Sequence, residues 1–189
     1  MTRILKGKKV WLRPPKVEDF EEFVAMNLAS RKFHKGLANP PLDRKAFDAF
    51  LLRNEFETNE SFLICRTDDN AIVGMINLSQ IFRGNFQNAY LGYYLGEKFA
   101  RQGFMTEAIE LVLRFAFKTL KLHRIEANVQ PHNLSSITVL QKNGFTKEGF
   151  SERYLKIGSR WRDHERFAIV AENWRSRGNE SNGRKIYNG

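Results

Sequence analysis

The 189-residue chain has one cysteine, Cys65, and no long apolar run. A lone thiol excludes an intrachain disulfide and any zinc cluster built on several cysteines. No stretch reaches the roughly 18 apolar residues of a membrane-spanning helix. The opening "MTRILKGKKVWLRPP" also lacks the apolar core of a secretory signal. A cytoplasmic protein without a membrane partner is expected. The common phosphate loops are missing too: no G-x-x-x-x-G-K-S/T occurs, and no G-x-G-x-x-G opens a helix after a strand. Kinase, P-loop and dinucleotide readings lose their footing. Nor is there an internal repeat, an aromatic RNP motif or a KH-type G-x-x-G turn, so dedicated RNA binding has no signature. Acidic residues are the minority, 21 against 31 basic ones.

What is present is a core. The chain is 42% hydrophobic and carries sixteen phenylalanines, each able to bury a large apolar area. At this length one domain is expected, over residues 1–174, followed by a polar tail over 175–189. A net charge of +10 favours anionic partners such as a polyphosphate cofactor or a ribosome surface. The basic residues are dispersed, with small clusters at 6–9 and 175–185, which is also the pattern of a solvated surface. No DNA partner is expected.

The apolar pattern changes period along the chain. "KKVWLRPP" reads as a strand, and Val17, Phe20, Phe23, Val24 and Leu28 recur at helical spacing. Asp43 is an N-cap for a helix carrying Phe47, Phe50 and Leu51. "SFLICR", "AIVGMINLSQI" and "NAYLGYYL" follow as strands. Met105, Ala108, Ile109, Val112, Leu113, Ala116 and Phe117 then form the clearest helical stripe. "HRIEANV" is a strand, and "PHNLSSITVLQKNGF" a helix with Asn133 as N-cap and Gly144 as stop. The strands "EGFSERYLKI" and "RWRDHERFAIV" close the domain. Strands in a run, followed by alternating helices, predict an α/β (α+β) fold with helices packed on a mixed sheet.

Between "NAYLGYYL" and the long helix lies "GEKFARQGFMTEA". The first N–H groups of a helix have no partner within it, and the macrodipole adds positive potential. A phosphate could sit there, with Lys98 and Arg101 adding charge and Gly103 allowing close approach. An ordinary strand-to-helix turn accounts for the same residues.

Three segments taken together resemble one family: "GYYLGEKFARQGFMTEAIELVLRFAF", "LHRIEANVQPHNLSSITVLQKNGFTKEGF" and "YLKIGSRWRDHERFAI". Their order and spacing are similar to the GNAT superfamily of acetyl-coenzyme A-dependent N-acetyltransferases, nearest the branch acetylating N-terminal amines of ribosomal proteins. The likeness spans residues 8–172. It implies a GNAT fold: a mixed, mostly antiparallel sheet of six to seven strands, about four flanking helices, and strands four and five splayed around the cofactor. It further implies that residues 98–103, with Lys98, Arg101, Gln102 and Gly103, cradle the pyrophosphate of acetyl-coenzyme A. Phe104, Met105 and Thr106 would begin the helix above it. The pantetheine arm would pair with the backbone near Tyr94 and Leu95. Asn133 would contact the cofactor and Ser136 would lie by the thioester sulfur, which makes these two the catalytic candidates.

The chain departs from the family pattern twice. Arg101 stands where the loop usually has a glycine, and its N–H serves equally well provided φ stays negative. Asn128 stands where some relatives carry a basic glutamate.

The implied reaction is attack of a neutral amine on the thioester. An α-amine, with a pKa near 7.7–8.0, is roughly one-tenth neutral at pH 7, and a lysine only about 0.04%. The missing carboxylate therefore leans toward an N-terminal α-amine, probed against two alternatives: a small amine such as an antibiotic or polyamine, and a non-enzymatic basic ribosome- or RNA-binding module. Ser136 would protonate or hydrogen-bond the departing thiolate. Glu126, Glu148 and Glu152 are possible bases, and Tyr154 could touch substrate. Asp163 reads as structural, and His123 and His164 have no assigned role. No metal is expected. Phe33, Phe82 and Phe86 lie where they could shape the acceptor side or belong to the core.

Overall fold

The computed structural model describes residues 3–174; the expected polar tail, 175–189, lies outside the described residues. Two short strands, β1 (Leu5–Lys6) and β2 (Val10–Arg13), lead into α1 (Phe20–Ala29), α2 (Arg31–His34) and α3 (Arg44–Arg53). Three long strands follow: β3 (Glu60–Arg66), β4 (Ile72–Phe82) and β5 (Asn88–Leu95). Then come α4 (Phe104–Arg114), β6 (Arg124–Val129), α5 (Leu134–Lys142), β7 (Thr146–Ile157) and β8 (Arg160–Val170). The strands form one sheet in the order β1-β2-β3-β4-β5-β6-β8-β7.

Every neighbouring pair is antiparallel except β5 and β6, which run parallel. A parallel pair needs a crossover, and α4 supplies it. The stripe from Met105 to Phe117 is buried at every position named above, and the helix ends in a π turn, Phe115–Thr119. Phe23, Phe47, Phe62 and Phe167 are fully buried in the same core. Phe23 stacks on Phe50 at 5.5 Å, and Phe62 meets Phe115 edge-on at 5.5 Å. Burying each such ring contributes about 2–3 kcal/mol. Asp43 caps α3 by accepting the Ala46 N–H at 2.8 Å.

The sheet has eight strands rather than six to seven, and there are five helices rather than about four. The additions are β1 and α2. Two residues are too few to show alternation, so β1 is recognisable only by its pairing, Leu5 with Leu12 and Lys6 with Trp11. One turn of α2, with Arg31, Lys32 and His34, is too short and too basic for an apolar stripe.

The expected splay is present, counted now as β5 and β6. Their ladder holds only for Asn88–Arg124, Ala89–Ile125 and Tyr90–Glu126. Beyond it β5 continues on β4 as far as Leu95, and β6 continues on β8 as far as Val129. Two strands thus run on without each other, and a cleft opens between them.

Candidate functional site

The cleft encloses about 260 Å³, lined by Asn77, Tyr93, Tyr94, Asn128, Asn133, Ser136 and His164 among others. The larger space, about 460 Å³ between α1 and the turn Glu97–Phe99, is mainly apolar. Two of its polar groups are engaged there: Glu22 accepts the Ile72 N–H and Ser30 the Glu97 N–H. The smaller cavity, where amides, hydroxyls and an imidazole converge, is the candidate site.

At the open end of the cleft the chain turns sharply into α4. Arg101 has φ +62° and Gly103 φ +85°. The condition set for Arg101, a negative φ, is therefore not met. The turn needs two left-handed residues, and arginine occupies one at a cost of roughly 1–2 kcal/mol. Ala100 and Arg101 form the corner of a turn, and the backbone N–H groups of residues 103–106 have no acceptor among the described residues. The side chains of Lys98, Arg101 and Gln102 are exposed, whereas those of Phe104 and Met105 are buried in the core. Those two can offer only backbone to an anion, whereas Thr106, half-buried, has a hydroxyl to donate as well. A helix N-terminus with a run of free N–H groups and exposed cations fits a pyrophosphate.

Two residues holding this turn were not singled out from sequence. Lys9 donates its ammonium to the Gln102 carbonyl at 3.1 Å. Glu107, in the first turn of α4, accepts the N–H groups of Lys8, Lys9 and Val10 at 2.8, 2.8 and 2.9 Å. The "TEA" of the motif was visible, but its partners lie nearly a hundred residues away.

Along β5, the Leu95 carbonyl accepts from His34 Nε2 at 2.7 Å, and His34 Nδ1 is buried without a partner. One acceptor position near Tyr94 and Leu95 is thereby already taken by α2. Burial pushes the Tyr94 phenol well above its ordinary pKa.

Asn133 is the N-cap foreseen for α5. Its Oδ1 accepts the Ser136 N–H at 3.2 Å and the Ser135 hydroxyl at 3.0 Å. Ser136 Oγ lies 2.7 Å from the hydroxyl of Tyr93, a residue the sequence did not single out. Burial raises the Tyr93 pKa strongly, against the opposing bond to Ser136, so the phenol is neutral. Neighbouring β-residues face opposite sides, and "YYL" gave no means of telling which tyrosine would reach α5.

The three glutamates stand outside the cavity lining. Arg124 holds Glu126 at 2.8 Å and clamps Glu148 with both guanidinium nitrogens. Glu152 is exposed. Asp163 is structural: it accepts the Arg153 N–H at 2.8 Å, where β7 bulges and Arg153 has φ +47°. Tyr154, next along, has its ring 6.3 Å from that of His164. His123 pairs at the surface with Glu172 at 3.2 Å. Phe33, Phe82 and Phe86 are exposed and do not line the cavity. His164, by contrast, is only 3% exposed and does. Burial depresses its pKa, and the Arg162 carbonyl and Asp163 oppose that shift.

Comparison with known proteins meets this geometry from outside. Residues 9–146 match the family model described as an acetyltransferase (GNAT) domain. A probable N-acetyltransferase, YjcK of Bacillus subtilis, is 39% identical over 175 residues, which are 88% of this chain and 97% of the relative. The ribosomal protein uS5 alanine N-acetyltransferase of Escherichia coli is 40% identical over 124 residues, 64% of each chain. The structure of Mycobacterium smegmatis RimJ in complex with CoA-disulfide superposes with a TM-score of 0.80 at 28% identity, covering 90% of this chain and 86% of that one.

Proposed function

The chain belongs to the GNAT family of acetyltransferases, and we propose that it acetylates the N-terminal α-amine of a protein, with a ribosomal protein as the favoured acceptor. It is an N-acetyltransferase, and its acetyl donor is acetyl-coenzyme A, which supplies an activated acyl group.

The observation that carries the acceptor class is the cavity lining: it contains amides, hydroxyls and one histidine, but no carboxylate. A polyamine acceptor would bring further ammonium groups and would need carboxylates to balance them. A protein α-amine brings one, and about a tenth of it is already neutral at pH 7. The net charge of +10 also disfavours a polycationic acceptor. The names of the relatives point the same way: one acetylates alanine of ribosomal protein uS5.

In this reading the N–H groups of residues 103–106 hold the pyrophosphate, and Lys98 and Arg101 add formal charge. The free edge of β5 orients the pantetheine arm. Ser136, backed by Tyr93, faces the sulfur and gives the departing thiolate a hydrogen bond or a proton. Asn133 keeps α5 in register beneath it.

The test is acetyl-coenzyme A turnover against free N-terminal peptides, led by those of ribosomal proteins, beside spermidine and an aminoglycoside. Peptides acetylated at the α-amine, located by mass spectrometry, are the expected products. Turnover confined to the small amines overturns the acceptor class.

A further inference from the structure

We propose that His164 is the general base of this reaction, its Nε2 taking the proton that the attacking amine loses. The inference rests on the acetyltransferase reading and names the one role that reading left without a residue.

The tautomer follows from a single contact. His164 Nδ1 lies 2.9 Å from the Arg162 carbonyl. A carbonyl can only accept, so Nδ1 carries the proton and Nε2 presents a lone pair in the neutral ring. Nε2 has no hydrogen-bond partner among the described residues. The ring lines the same cavity as Asn133 and Ser136. The other buried histidine, His34, is the opposite case: its Nε2–H is engaged by Leu95, and its Nδ1 is buried without a partner. One histidine is locked into the scaffold, and the other keeps a basic nitrogen at the cleft.

Competing bases are excluded by placement. Arg124 engages Glu126 and Glu148, and Glu152 is exposed. Asn128, which does line the cavity, cannot take a proton at neutral pH. The titratable groups on the ring's side are Tyr154 from β7, Tyr93 across the cavity on β5, and Arg162 and Arg166 two positions either side of it on β8, whereas the Tyr94 ring packs against Phe23 and His34. The facing residues of β6 and α5 are the uncharged Asn128, Asn133 and Ser136. Burial keeps the imidazole below its ordinary pKa and therefore unprotonated at neutral pH.

The step balances without a co-reactant. The amine nitrogen bonds to the acyl carbon and its proton passes to Nε2. The carbon–sulfur bond breaks, and coenzyme A leaves as a thiolate that takes a proton from Ser136, which regains one from solvent, so that Ser136 and Tyr93 end as neutral as they began. The imidazolium then returns its proton to solvent.

His164→Asn keeps a side-chain N–H for the Arg162 carbonyl while removing the ring base. His164→Gln removes the base by another route and serves if the first variant fails to fold. With the fastest peptide acceptor, kcat falls about 10²–10⁴-fold, while calorimetry finds acetyl-coenzyme A binding unchanged within about twofold. In the ligand-free wild type, nitrogen-15 NMR of the ring shows the Nδ1–H tautomer. A kcat within threefold of wild type in a variant that binds acetyl-coenzyme A overturns the proposal, as does an Nε2–H tautomer. A wild type that neither binds acetyl-coenzyme A nor acetylates any amine overturns the functional reading, and this one with it. An active wild type with an equally fast His164→Asn overturns only the base.

Discussion

The hydroxyls of Tyr93 and Ser136 stand 2.7 Å apart, joining the free part of β5 to the first turn of α5 across the cleft. Each gives the other a fixed rotor. If Ser136 serves the leaving thiolate, Tyr93 acts through it and sets its direction.

Tyr93→Phe removes only an oxygen and so tests this pairing. It should cost about 1 kcal/mol of stability and lower kcat by roughly three- to tenfold, since each tenfold is about 1.4 kcal/mol of barrier. Ser136→Ala should lower kcat further and leave acetyl-coenzyme A affinity nearly unchanged. The double variant should be no slower than Ser136→Ala alone, because a partner cannot be lost twice. Additive losses in steady-state kinetics would mean that the two hydroxyls act separately.

Gly103 tests the cradle. At φ +85° a β-branched side chain is strained, and a Cβ would already lie 3.4 Å from Lys9 Nζ. Gly103→Val should weaken acetyl-coenzyme A binding at least tenfold by calorimetry, whereas Arg101→Gly should do the reverse for stability. Relieving a left-handed arginine at φ +62° raises the melting temperature or leaves it unchanged. Any loss of affinity in that variant is then the side-chain charge alone, and it should fade with added salt. A lower melting temperature for Arg101→Gly would mean that the guanidinium holds the turn.

The contrast between those two positions shows what the sequence could convey. Periodicity was sufficient for α4, because its buried stripe repeats over three turns with Met105, Ala108, Ile109, Val112 and Ala116. The caps Asp43 and Asn133 were legible because capping is a contact over three residues. The proposed cradle rests on resemblance rather than pattern, and the φ of Arg101 could not be read at all, since arginine is a poor marker of left-handed backbone. Tyr93, Lys9 and Glu107 act through partners 43 to 99 residues distant. His164 was visible as a residue, but the role proposed for it needed the contact between Nδ1 and the Arg162 carbonyl, which no sequence pattern conveys. Local chemistry is written locally, and pairing across the fold is not.

Glu107 makes such a distant contact measurable. Its carboxylate satisfies three N–H groups at the start of β2. Glu107→Ala should destabilise the fold by about 3 kcal/mol, on the order of 1 kcal/mol for each bond left open. Glu107→Gln, which keeps one acceptor oxygen, should cost less. Urea denaturation of the two variants checks the order, and equal midpoints to wild type would mean that water replaces the carboxylate.

Cys65 predicts an alkaline limit. The thiol is fully buried on β3, and burial pushes its pKa up to about 11, with the Arg13 guanidinium opposing the shift. The unfolded thiol ionises near its ordinary value, so the folded state is penalised only above that value. The stability is complete below about pH 8.5 and is lost progressively as the pH rises toward 11, by on the order of 3 kcal/mol. Cys65→Ala removes the titration, although it adds a small cavity at every pH. Between pH 8 and 11 wild type should therefore lose more stability than the variant, and parallel denaturation curves would refute a buried titrating thiol.

Asn133 poses the sharpest separation of scaffold from site, because its amide caps α5 and is also the proposed contact to the cofactor. Its Oδ1 caps α5, while its Nδ2 is the donor left for a ligand. Asn133→Asp keeps an acceptor at the cap and places a negative charge at a helix N-terminus, where the macrodipole favours it. The melting temperature should hold or rise. The donor, however, is gone, and the new charge repels an anionic cofactor, so acetyl-coenzyme A affinity should fall about tenfold or more. Asn133→Ala loses both functions and should be destabilised by about 1 kcal/mol as well. A variant series in which affinity follows stability would assign Asn133 to the cap alone. Weak binding in a fully stable Asn133→Asp places its amide at the ligand.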